Sequence, residues 1–499
     1  MDTDEAGAYE FAVVQPGIVQ FEIFPPQGFS VTEDRIERAL PEGVNSNGFS
    51  ANPAFSAAGR FIAFETLASN LGPGDFNLAS DIYVFDDFLD TVTRLSFSSF
   101  PFTDTNAGSF NATINSSGRF VAYQSAANNI VGDDTNAFDD IYYLDRLANV
   151  PMLVSRADDG SIANENSGLP SISGDGLKVA YVSLASNLVD DDTNGVADIF
   201  VVTPEDQQTV RVSVSSTGEQ ANGGSTNPVI SRNGRFVVFH SEATNLVPGD
   251  TNGHSDIFVY DLESNTIERV NVNDNGEQAN DFSAVASISE DGRFVSFESN
   301  ATNLVPDDTN GVIDVFVYDR LEQTIERVST AADGTEGDNA SRSVDQSMSA
   351  DGRFIIFASN ATNLVESDEN NLPDVFVYDR LNNVVEIANV GVTGEQANNA
   401  TGFAALSPDG GRIAFTSFAT NLAEVDTNGL PDVFKVSNPV SEFQAGGEVT
   451  PGLFVDDFAL GLLPDPGQIL GTLFEDVIPN GILDSGETPL ADQLVFLDA

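Results

Sequence analysis

Ser289-Glu290-Asp291-Gly292-Arg293-Phe294-Val295-Ser296-Phe297-Glu298-Ser299, then a polar loop, then Asp314-Val315-Phe316-Val317-Tyr318-Asp319: the fold is decided on this stretch. Asp291-Gly292 is a turn signal, because glycine reaches the positive φ that a tight hairpin needs. The runs on either side of the loop are rich in Phe, Val and Tyr at consecutive positions. Strands buried on both faces read this way. Working outward, Ala284–Ser289 is strand a of a unit, Arg293–Ser299 strand b, Asp314–Asp319 strand c and Thr324–Thr330 strand d.

The unit recurs seven times. Its marker glycines are Gly59, Gly118, Gly176, Gly234, Gly292, Gly352 and Gly411, spaced by 58 to 60 residues. Such a period signals a repeat architecture. Four-stranded antiparallel sheets packed face to face around an axis make a β-propeller. The seventh unit has strands near Phe403–Ser407, Arg412–Ser417 and Asp432–Val436, but no fourth. Arg35-Ile36-Glu37-Arg38-Ala39-Leu40, ahead of the first unit, resembles the fourth strand Thr266-Ile267-Glu268-Arg269-Val270. The N-terminal segment is therefore expected to complete the last blade, which removes the exposed edges of an open array. The expected fold is all-β, a seven-bladed propeller over residues 31–438.

Ser-x-Asp-Gly-Arg-Phe with Asp-Ile/Val-Phe-Val-Tyr-Asp resembles the TolB-type, WD-repeat-like propeller of bacterial secreted and periplasmic proteins. The resemblance spans some 400 residues. It implies a propeller and a role in protein interaction. The two ends resemble something else. Asp4-Glu5-Ala6-Gly7-Ala8-Tyr9-Glu10-Phe11 with Pro16-Gly17 and Phe21-Glu22-Ile23 is similar to the closing strands of the B-type β-sandwich of serine-aspartate-repeat surface adhesins. Gly471-Thr472-Leu473-Phe474-Glu475-Asp476, with Asn480-Gly481 and Gly486-Glu487, resembles the opening of the same domain. The expected organisation is a sandwich end at 1–30, the propeller at 31–438, a linker at 439–467 and a sandwich beginning at 468–499, all cut from a longer multidomain chain.

Composition narrows the function. The 499 residues carry 77 acidic and 20 basic side chains, a net charge of −57. Binding to nucleic acid requires Lys and Arg on phosphates and is excluded. An anionic membrane surface is disfavoured, and no apolar run is long enough to insert. Cysteine is absent and histidine numbers 2, which removes thiol catalysis and leaves little for a histidine metal site. His240 shares its strand-b position with Glu65, Gln124 and Glu298 and is expected to face solvent.

Calcium is the expected cofactor. Counted from Asp476, the C-terminal loop places Asp476 at position 1, Asn480 at 5, Gly481 at 6, the Ile482 carbonyl at 7, Asp484 at 9 and Glu487 at 12, the spacing of a calcium loop. A shorter 1, 3, 7 pattern of oxygen side chains recurs in every blade. Its members are Asp75/Asn77/Asp81, Asp134/Asn136/Asp140, Asp192/Asn194/Asp198, Asp250/Asn252/Asp256, Asp308/Asn310/Asp314, Asp368/Asn370/Asp374 and Asp426/Asn428/Asp432. Two carboxylates and an amide oxygen suit a hard cation. The same residues also build turns by capping backbone N–H groups, and both readings stand at this level. Asn70, Asn129, Asn187, Asn245, Asn303, Asn363 and Asn421 precede Leu or Ile in the same loop and are expected to make a structural hydrogen bond. Arginines at the Gly-Arg marker, after strand c and in strand d sit at repeated positions and are expected to be structural ion-pair partners.

The expected function is a non-enzymatic binding or scaffold module, secreted or at the cell surface, whose propeller meets a protein or glycan partner and whose flanks are calcium-stabilised. The alternatives are a calcium-dependent hydrolase using the propeller channel and a purely structural matrix protein.

Overall fold

A computed structural model describes residues 19–20, 36–441 and 448–449, apart from 42, 73, 99–103, 367, 392–393 and 424–427. Apart from 19–20, 439–441 and 448–449, the sandwich pieces and linker lie outside the described residues, as do the C-terminal loop residues Asp476, Asn480, Ile482, Asp484 and Glu487. One compact unit spans Asp34–Ser441; in the other, Val19–Gln20 pairs antiparallel with Glu448–Val449.

The first unit is a seven-bladed propeller of four-stranded antiparallel sheets. Blade 5 shows the pattern, with strands Ser283–Ile288, Phe294–Ser299, Asp314–Asp319 and Thr324–Arg327 in that order. The first strand of each blade packs on the first strand of the next. The seventh, Thr401–Leu406, returns to the first, Ser50–Phe55, so these strands surround the axis. Closure uses the N-terminal segment: Glu37 pairs with Lys435 and Arg38 with Phe434, and the Ala39 N–H donates to the Val433 carbonyl at 2.8 Å.

The sequence pattern explains the packing. Strand-c residues such as Val315, Phe316 and Val317 are buried because both sheet faces are covered by neighbouring blades. Each blade pairs one aromatic of its second strand with one of its third, stacked in six blades and tilted in blade 4, from Phe357–Phe376 at 5.7 Å to Phe64–Tyr83 at 6.3 Å. Such pairs contribute about 0.5–1.5 kcal/mol each beyond area burial.

The Gly-Arg-Phe motif ties blades together. Gly292 has φ +76°, and a Cβ there would lie 2.1 Å from the Phe236 ring of blade 4. Only glycine admits that ring against the turn. The Arg293 guanidinium lies over Phe294 and pairs with Asp319 at the end of strand c. Arg60–Asp86, Arg119–Asp145, Arg235–Asp261 and Arg353–Asp379 repeat the pair, as expected of structural arginines. In blade 7 the positive-φ residue is Gly410 rather than Gly411.

Candidate functional site

The repeated loops resolve into a shared hydrogen-bond scheme. Asn310 donates its Nδ2 to Asp314 and to the Gly337 carbonyl, both at 3.0 Å, while its Oδ1 accepts the Val312 N–H. Asn194, Asn252 and Asn370 do the same with Asp198, Asp256 and Asp374. Asn77, Asn136 and Asn428 likewise accept an N–H two residues on. Both ends of each amide are thus engaged in protein bonds. Asn70 and its six counterparts each donate to a carbonyl of the segment leading into their own blade, for example Asn303 to Gln278 at 2.9 Å.

The strand-c aspartates Asp81, Asp140, Asp198, Asp256, Asp314, Asp374 and Asp432 are all buried. In blades 2, 3 and 5 each accepts from a serine two residues past the end of strand d: Ser155 at 2.6 Å, Ser213 at 2.5 Å and Ser329 at 2.6 Å. Burial pushes Asp81, Asp140 and Asp374 up to about 6. A strand-d arginine is the counter-ion in five blades. Arg211 reaches Asp192 and Asp198, Arg269 reaches Asp250 and Asp256, and Arg327 reaches Asp308 and Asp314. Arg94 and Arg38 serve blades 1 and 7 through Asp81 and Asp432. Blade 6 has Ile387 at that position, beside Asp368 and Asp374. In blade 2 Arg156 lies past the fourth strand, Val150–Leu153, and pairs with Asp133, while Asp134 takes the Tyr142 hydroxyl. Asp426 lies outside the described residues.

The channel differs from blade to blade. At one end, backbone hydrogen bonds link the turns of successive blades except between blades 4 and 5. The Ala57 N–H donates to Ser116, Ser116 to Gly174, Gly174 to Arg232, Glu290 to Ala350, Ala350 to Pro408 and Asp409 to Ala57. Arg232 lies across this end and donates to Ser116 Oγ at 3.0 Å and to the Phe55 carbonyl at 3.4 Å. Burial draws its pKa down to about 10.

Toward the other end, each innermost strand carries a bulge whose residue has positive φ. The seven are Asn52, Asn111, Leu169, Asn227, Val285, Gln346 and Phe403. Asn tolerates this conformation, but for Val, Leu and Phe it is strained. Bulges re-aim side chains and gather next to active sites. Blade 6 breaks the repeat further: its innermost strand, Ser341–Met348, has eight residues where the other six have six. Phe403 is 61% exposed on this ring.

Second-strand side chains abut the ring. Glu65 accepts the Asn111 N–H at 3.0 Å, Gln124 accepts Leu169 at 3.4 Å, and Glu298 accepts Ser343 at 3.1 Å. Each takes the N–H of the next blade's innermost strand. Arg342 is 3.4 Å from Glu298 and its side chain is 57% exposed. Burial raises both Glu65 and Glu298; the Arg342 guanidinium opposes the rise only at Glu298. His240 holds the same position in blade 4. It is half-buried rather than freely solvent-facing. Its Nδ1 is buried without a hydrogen-bond partner, and burial lowers its pKa to about 4.

No family model and no curated protein matches the chain. Solved structures share the fold. An oligogalacturonate lyase in complex with manganese is 13% identical over 85% of this chain and 97% of that one, with a TM-score of 0.48. The β-propeller domain of the trilobed protease from Pyrococcus furiosus is 11% identical over 80% and 97%, TM-score 0.48. TolB from Acinetobacter baumannii is 14% identical over 69% and 64%, TM-score 0.36. The neighbours thus include TolB-like propellers, and most of the others are enzymes, with prolyl and acylaminoacyl peptidases among them. The expectation of a non-enzymatic binding module is corrected on this finding, as is the expectation that the chain is no enzyme. At these identities the likeness shows the fold; any activity has to be argued from the channel.

Proposed function

We propose that the protein is a hydrolase that cleaves a glycosidic bond in the open half of its propeller channel. The observation that carries this reading is the ring of seven positive-φ residues, whose side chains break a repeat that is otherwise closely kept. Residues that only hold blades together recur in every blade, as the aromatic pairs do. A ligand lies on the axis once and needs different groups on different sides. Asn52, Asn111 and Asn227 supply amides, Phe403 supplies an exposed ring, and Arg342 supplies a guanidinium, while the Gln346 amide oxygen accepts the Phe55 N–H of blade 1 at 3.4 Å. A few polar groups among apolar ones is the usual composition of a small-ligand site.

Glycoside hydrolysis requires a protonated carboxyl at the leaving oxygen and an ionised one for water or the sugar carbon. Glu65 fits the acid, because burial raises it and no guanidinium opposes the rise. Glu298 fits the ionised partner, because Arg342 favours its charge. Environment divides the two roles. An extracellular setting, with further domains beyond the propeller, belongs to the same proposal.

Gln124 already takes the inter-blade N–H in blade 2, so glutamine can replace either glutamate as an acceptor. Glu65→Gln and Glu298→Gln are expected to keep the melting temperature of the parent. Each should lower kcat on aryl glycosides or oligosaccharides by about 100-fold or more, the scale of a lost general acid or base. Full activity in both variants overturns the assignment. So does a parent protein that cleaves no member of a neutral and acidic glycoside panel between pH 4 and 8.

A further inference from the structure

We infer that blade 1 carries a divalent-cation site built from Asp75, Asp81 and Asp104, at the loop edge of the blade and separate from the channel. One carboxylate oxygen of each residue lies within 4.8 Å of the others. Asp104 comes from the segment leading into blade 2, and its position sets blade 1 apart. The corresponding residues of blades 3, 4 and 6 are Gln220, Gln278 and Gln396, which accept loop N–H groups from Thr193, Thr251 and Glu369. Asp104 makes the same bonds, accepting Phe76 N–H at 2.6 Å and Asn77 N–H at 2.8 Å, but brings a negative charge.

That charge redirects the arginine. Arg94 lies 2.9 Å from Asp104 and 3.4 Å from Asp81, and no ion pair to Asp75 is found among the described residues. In blades 3, 4 and 5 the counterparts of Asp75 keep their arginine at 3.5, 3.6 and 3.8 Å. Asp75 is 6% exposed, and its Oδ1 is buried with no hydrogen-bond partner. A carboxylate oxygen in that state is costly unless a cation meets it. Three carboxylates and one guanidinium leave two negative charges, which one divalent ion cancels. Blade 5 also has a third acid, Glu336, but there Arg327 reaches all three carboxylates.

An all-oxygen set with adaptable spacing suits calcium, which takes about six to eight oxygens at about 2.3–2.6 Å, better than magnesium, which demands a tight octahedron. Tyr83, whose buried hydroxyl feels the charges of Asp75, Asp81 and Asp104, provides a built-in reporter for a lanthanide at this site.

The test is a titration of the chelator-treated full chain with terbium at physiological ionic strength, exciting tyrosine, followed by calcium competition and calcium calorimetry. The parent is expected to show saturable emission that calcium displaces and magnesium does not. Tyr83→Phe should lose most of the emission and keep the calcium heat. Asp75→Asn should weaken calcium at least tenfold, while Asp250→Asn in blade 4 titrates like the parent. If Asp75→Asn fails to fold, Asp104→Asn reads the same question, since an amide oxygen still accepts the loop N–H groups. The inference is overturned if the parent shows no saturable binding, if Asp75→Asn or its substitute binds like the parent, or if the blade 4 variant weakens binding equally. Loss of this site leaves the channel glutamates untouched, so its failure and that of the hydrolase reading are separately visible.

Discussion

In chelator and at low ionic strength, the propeller is expected to melt at a lower temperature at pH 7 than at pH 4.5, the reverse of the ordinary trend. Burial pushes Asp81, Asp140, Asp250, Asp308 and Asp374 up to about 6, well above the usual carboxylate value near 3.9. The folded state therefore holds protons that the unfolded chain has released. Stability from these groups is complete below about pH 4 and is lost as the pH rises through about 6. A tenfold difference in proton affinity between the folded and unfolded chain corresponds to about 1.4 kcal/mol. At Asp250 and Asp308 the guanidinium of Arg269 or Arg327 opposes the effect of burial. Because Asp250 faces Asp256, and Asp308 faces Asp314, the contributions are not additive, and the combined loss should be on the order of 5 kcal/mol. The surface acts in the same direction, since a net charge of −57 repels itself more strongly as carboxyls ionise.

The opposite limb belongs to the arginine-paired carboxylates. Asp145 is lowered chiefly by Arg119, and Asp319 and Asp379 are lowered by Arg293 and Arg353 against the effect of burial. Their stabilisation is present above about pH 4 and lost below it, so the maximum is expected between about pH 4 and 5. Calcium should recover part of the loss at pH 7, because a ligand of the folded state alone stabilises by mass action. Asp374→Asn is the sharpest variant. In blade 6 Ile387 leaves that aspartate without the strand-d arginine, and an amide oxygen can still accept from Asn389. The variant should raise the melting temperature at pH 7 and leave it unchanged at pH 4.5. A parent melting temperature that climbs steadily from pH 4.5 to 7 in chelator would refute this account.

The architecture was legible because it is repetitive. Gly-Arg-Phe and Asp-x-Phe-Val-Tyr-Asp recur at a fixed period, and Glu37-Arg38 matches the missing fourth strand of blade 7, so blade number and closure followed from pattern alone. The channel was not legible for the same reason. Its ring residues vary from blade to blade, and Leu169, Val285 and Phe403 adopt a conformation that their own preferences oppose. A reading built on recurrence passes over positions that do not recur. The two extra residues in Ser341–Met348, visible as the longest interval between marker glycines, were the one available signal. His240 shares its position with Glu65, Gln124 and Glu298, which pointed to solvent, but the folded chain leaves it half-buried with its Nδ1 covered. Asp104 lies between motifs, and its importance depends on Arg94, which only the folded chain brings to it.

Gly292→Ala is expected to destabilise the propeller by about 3–5 kcal/mol, while Gly311→Ala in the same blade costs about 1 kcal/mol. Both glycines have positive φ, +76° and +65°, so both substitutions carry the left-handed penalty of an L-residue. They differ in surroundings. A Cβ at Gly311 meets nothing within 4 Å, and Leu78 and Asn371 already occupy the equivalent place in blades 1 and 6 with φ of 59° and 55°. At Gly292 the Cβ would lie 2.1 Å from a ring atom of Phe236, itself part of the core between blades 4 and 5. That ring carries the Arg320 guanidinium on its face, so it cannot retreat without breaking a second inter-blade contact. Overpacking of this kind adds about 1–3 kcal/mol or more. Chemical denaturation of the two variants measures the difference directly. Equal losses would mean that the glycine serves only the turn. A larger loss at Gly292 means that it serves the joint between blades, and with it the spacing of the innermost strands on which the channel groups are mounted.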